Sequence, residues 1–138
     1  MSDVAPADPT TTAGLLEALA RALPPATIDE LWIFPARRIG PGQSTIVVAS
    51  VFGDDADSDR RRVFTARFTV ARDARGRPEL RQEMTEDGAA PAGRVSRVVD
   101  GVLRRLTDEP APPRHARLQG DADRWAELLR AVAAGEPV

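Results

Sequence analysis

Two stretches of this chain are apolar on both alternating faces of a strand. Residues 31–34 read LWIF and residues 45–52 read TIVVASVF. Successive side chains of a strand point to opposite sides of its sheet, so a strand with one wet face alternates apolar and polar residues. These two do not alternate. The sheet they enter therefore needs cover on both faces, from the chain itself or from a partner. Pro35 closes the first stretch and argues for an edge or a turn there, and Gly40-Pro41-Gly42 supplies a reversal. The β-branched content of the second stretch favours an extended backbone.

The rest of the chain fills in around that pair. Residues 61–71 predict a third strand, with Phe64, Ala66, Phe68 and Val70 on one face and Val63, Thr65, Arg67 and Thr69 on the other. Residues 79–86 predict a fourth, with Leu80 and Met84 on one face; Glu79, Arg81, Glu83 and Thr85 occupy the other and suit an exposed edge. The turns at 53–59 and 72–77 are short, which favours an antiparallel meander. A first helix starts near Thr11 or Thr12, carries Leu15, Leu16, Leu19 and Leu23 on one side, and ends at Pro24-Pro25. Residues 88–93 introduce a second, striped by Val95, Val98, Val99, Val102, Leu103 and Leu106; Gly101 lowers its helix propensity by about 1 kcal/mol, and a close contact with the sheet there is the lesser reading. Residues 108–114 form a stiff linker. Asp121 caps a final helix whose apolar side is Trp125, Leu128, Leu129 and Val132.

The expected fold is α+β: an N-terminal helix, a four-stranded antiparallel meander and two C-terminal helices, with the helices on one face of the sheet. Residues 1–10 read as a flexible N-terminal tail, 11–134 as a single domain, and 135–138 as a short C-terminal tail. A chain of 138 residues suits one domain and can bury about two-thirds of its extended surface. The second face of the first two strands is expected to be covered by another copy of the chain or by the last helix. The helix–strand–helix order resembles cystatin-like and double-stranded-RNA-binding arrangements in topology, without a family motif.

Composition removes several chemistries. Cysteine is absent, so disulfides, thiolate metal sites and cysteine nucleophiles are excluded. The 19 cationic residues are all arginine, which excludes a lysine Schiff base and a Walker-type phosphate lysine. Against 21 acidic residues they leave a net charge of −2. No apolar run approaches the ~20 residues of a membrane span and the N-terminus has no secretory pattern, so a cytoplasmic placement without a membrane partner is expected.

Four constellations carry residue types used in catalysis or ligand binding. Asp55-x-Asp57-x-Asp59 begins like an EF-hand loop but has Arg60 in place of the glycine and Ala66 in place of the final glutamate. His115 is the single histidine, with Asp108 and Glu109 its nearest acids along the chain. Asp29-Glu30 could hold a divalent metal if Glu83, Glu86 or Asp87 converged on it. Arg37-Arg38 before IGPGQS could meet phosphate, yet the stretch is neither GxxxxGK[ST] nor GxGxxG. None completes a pattern, and no catalytic residue, metal site or cofactor is assigned.

A non-enzymatic interaction or accessory domain, self-associating through a sheet face or binding an unidentified protein, is the leading expectation. Trp32, Phe34, Val47 and Val51 are its candidate contact residues, since a desolvated tryptophan can dominate an interface. The first alternative is nucleic-acid binding through Arg37, Arg38, Arg94, Arg97, Arg104 and Arg105. The second is a small-ligand-binding or catalytic α+β protein whose pocket Trp32, Phe34, Phe52, Phe64 and Phe68 would line.

Overall fold

The doubly apolar stretch at 45–52 lies in the middle of the sheet, where both of its faces can be dried. The computed structural model describes residues 12–23, 27–53, 59–106, 108–109 and 111–134. In chain order the elements are α1 (Thr12–Ala22), β1 (Ile28–Ile33), β2 (Arg37–Gly40), β3 (Gln43–Gly53), β4 (Arg60–Arg72), β5 (Pro78–Pro91), α2 (Val95–Arg105), β6 (Arg114–Arg117) and α3 (Ala122–Ala134). The expected tails, Pro24-Pro25, and Asp55 and Asp57 of the calcium-like stretch lie outside the described residues.

All pairings are antiparallel, in the order β5-β4-β3-β1-β6. β2 also pairs with β3, so β1 and β2 share one side of that long central strand. Pro35 breaks the line between them, and the Phe34 N–H carries the pairing across the break by donating to Val47 O at 2.9 Å. The register sets the faces. Ile46 opposes Phe68, Val48 opposes Ala66 and Ile33, and Leu31 opposes Ser50. These lie on the side covered by α1 and α3, in one cluster with Leu15, Leu16, Leu19, Leu23, Trp125, Leu128 and Val132. Burying each such leucine contributes roughly 1.5–3 kcal/mol of transfer free energy. On the other side Ala49, Val51 and Val63 meet Val95, Val99 and Val102 of α2, with Trp32 and Ala90 packed alongside.

The four-stranded meander is therefore corrected to a six-stranded antiparallel sheet. β6 begins at the last residue of the predicted 108–114 linker and runs to Arg117, ahead of the final helix. It is recruited because the outer edge of β1 carries backbone donors and acceptors that need partners, and residues 114–117 supply them opposite 30–33. β2, reading RRIG just before the reversal at 40–42, has no alternating apolar pattern of its own. Gly42 does make that turn, at φ 67°. β5 also runs on to Pro91, through residues expected to lead into the second helix.

The helices do not share one face. α2 covers the face opposite α1 and α3, so the two dry faces of β1 and β3 are both met within one chain, by the middle helix rather than the last. Asp121 caps α3 as expected: its Oδ1 accepts from the N–H groups of Asp123 at 3.0 Å and Arg124 at 3.2 Å. Among the described residues no helix is long and apolar enough to cross a membrane.

Candidate functional site

The acidic pair and the histidine meet at one edge of the sheet. β1 and β6 set Trp32 opposite His115 and Glu30 opposite Arg117. The Trp32 and His115 rings stack, with centroids 4.5 Å apart and planes 7° from parallel. Glu30 Oε1 lies 3.2 Å from His115 Nε2 and 3.2 Å from Arg117 Nε. Asp29 accepts from Arg61 Nε. Asp29, Glu30, Arg61 and Arg117 border a polar cleft of about 460 Å³ beside the start of α2, which Val51, Val95 and Gln119 also line. Each carboxylate is neutralised by a guanidinium, so the cluster ties β1 to β4 and β6. The histidine's acidic partner is Glu30, and neither Asp108 nor Glu109.

The carboxylates that would have completed a metal site with Asp29 and Glu30 lie elsewhere. β5 is three strand spacings from β1, about 14 Å. There Glu86 accepts from Arg62 Nε at 2.7 Å, and that hydrogen bond holds its carboxyl below the usual range. Asp87 accepts from Thr65 Oγ1 at 2.5 Å and from Arg105. Among the described residues no cluster of three or more metal-binding side chains forms.

The arginines weighed for nucleic acid are divided between two ends of a helix. Arg94 and Arg97 stand at the start of α2, and Arg104 and Arg105 at its end, roughly 15 Å away at 1.5 Å per residue. Arg37 is at the second end too, where it and Arg67 hold Glu109, at 3.2 and 3.9 Å. The Glu109 side chain is only 6% exposed. It fastens the segment after α2 onto the sheet, across a hollow that Phe34 shares with Leu103, Leu106, Pro112 and Pro113. Arg38 is exposed on β2.

The chain matches no known protein family, no curated protein and no solved structure. Its own surface therefore carries the functional reading.

Of the residues expected to make contact, Phe34, Val47 and Val51 are buried within the monomer and Trp32 is half-buried against His115. Exposed large apolar side chains lie at other positions: Ile39 at 47%, Leu80 at 43% and Met84 at 41%. Leu80 opposes Val70 and Met84 opposes Ala66, so both point to the α1 side of β5. Met84 also lines a shallow groove of about 300 Å³ with Ala22, Leu23, Phe52, Arg62 and Phe64. Phe64 meets Phe52 edge to face at 5.3 Å, and the Arg62 guanidinium lies 5.5 Å from its ring centre. Residues 78–86 of β5 are all exposed, whereas 87–90 are partly covered beneath α2. A bulge at Asp87, the extra residue between Glu86 opposite Phe64 and Gly88 opposite Val63, separates the two halves. The charged, weakly apolar sequence of this strand signalled an edge; that its apolar residues lie at the margin of the helical cover followed from the sheet order.

Proposed function

We propose that the protein is a non-enzymatic interaction module that self-associates through the uncovered end of its sheet. One observation carries the reading: Leu80 and Met84 stand exposed on one face of an edge strand, continuous with half-buried Phe64 and the groove beside it. Apolar side chains gathered at a sheet edge favour pairing with another chain. Since α2 meets the demand for cover over β1 and β3, the surface offered to a partner moves from Trp32, Phe34, Val47 and Val51 to β5. A second copy is the simplest partner, because one patch then serves both sides of the interface.

Sedimentation equilibrium over a wide concentration range tests this. The expected result is a reversible dimer that Leu80→Arg or Met84→Arg shifts to monomer. A monomer at every concentration overturns the reading. If that monomer instead binds a generic nucleic-acid duplex, with affinity falling as salt rises, the arginine surface takes its place.

A further inference from the structure

Resting on that self-association, we propose that two copies join edge to edge through β5, antiparallel, with Gln82 opposite the partner's Gln82 on a two-fold axis. β5 ends the sheet order, so its outer side faces no further strand of the described chain. A two-fold axis through opposed residues is the symmetry of an antiparallel ladder. Centred on Gln82, it places Leu80 against the partner's Met84, and Met84 against the partner's Leu80, on the α1 side. On the α2 side it places Arg81 against the partner's Glu83, and Glu83 against the partner's Arg81. Opposite charges set directly across strands attract, and apolar pairs bury each other.

Neighbouring registers lose this match. Centred on Arg81, the ladder opposes two arginines and sets Glu79 against the partner's Glu83. Centred on Glu83, it opposes two glutamates. Centred on Leu80, it puts Pro78, which has no N–H, inside the ladder and runs into the turn at 73–77, where the Asp73 carboxylate already holds the N–H groups of Arg75 and Arg77. Centred on Met84, it draws the bulged Asp87 into the pairing, although its carboxylate is committed to Thr65 and Arg105. The Gln82 register uses residues 78–86, the half of β5 that the helices leave open. Within one copy Arg81 makes only a loose pair with Glu79, at 3.8 Å on the surface, so its guanidinium is available to the second copy. The joined sheets form one continuous sheet whose α1 side carries two leucine–methionine pairs flanking the central pair of Gln82 amides.

The absence of cysteine gives a clean cross-linking test. Under mild oxidation Gln82→Cys is expected to form a covalent dimer on a non-reducing gel, and Leu80→Cys is not, because the two copies of residue 80 lie four residues out of register. Arg81→Glu and Glu83→Arg are each expected to weaken dimerisation about tenfold or more, by setting like charges opposite. An equimolar mixture of the two variants restores the dimer, since every opposed pair is then opposite in charge. A dimer that ignores all of these changes overturns the β5 pairing and leaves self-association standing through another surface. A monomer at every concentration for the unaltered chain overturns both.

Discussion

Gly88 is the glycine that the packing requires. A Cβ placed on it would sit 3.0 Å from Val98 Cγ1 of α2. Val98 cannot swing aside, because a β-branched side chain in a helix holds essentially one rotamer. Gly101, where close contact with the sheet was the lesser reading, has nothing within 4 Å of the same position. The two alanine substitutions should therefore act in opposite directions. In urea denaturation Gly88→Ala is expected to lose about 1–2 kcal/mol through overpacking, while Gly101→Ala gains about 0.5–1 kcal/mol of helix propensity. Nothing in 88–93 marks Gly88, because a glycine in a segment without a strand period needs no neighbour to explain it. Side-chain partners were hidden for a related reason. Glu109 finds Arg37 at a separation of 72 residues, and His115 finds Glu30 at 85. Such pairs follow from which strands become neighbours, and no local spacing encodes that.

Elements were legible where one period ran long enough to be distinctive. The valine stripe of α2 and the leucines of α1 could belong only to helices, and the cap of α3 could be named to the residue. Asp121→Ala should cost about 1 kcal/mol by leaving the N–H groups of Asp123 and Arg124 without their acceptor, read as a lower urea midpoint with an unchanged slope. The two missed strands are each four residues long. β6 reads RHAR, with Ala116 its one buried side chain, and β2 reads RRIG, with none fully buried. Neither is specified by its own side chains; both form because β1 and β3 present edges that need pairing. A strand held by its neighbour's demand carries little period of its own, so its sequence does not announce it.

At the scale of the whole molecule, the two dry faces of β1 and β3 dictated a layered body, and they were readable. Which helix closes which face was not, since α1, α2 and α3 are all amphipathic and any could have served. With both faces closed by one chain, the proposed self-association falls to the exposed end of β5, and it should register as linkage: the melting temperature is expected to rise with protein concentration, and Leu80→Arg to remove that dependence. Differential scanning calorimetry at several concentrations reads both. The β1–β6 ladder has a further consequence, for biosynthesis. On the ribosome β1 emerges before β6, so the nascent chain carries an open strand edge on β1 until translation has passed residue 117. Until then the growing polypeptide offers chaperones an unfinished sheet, and a message cut short before that point encodes a substrate for proteolysis.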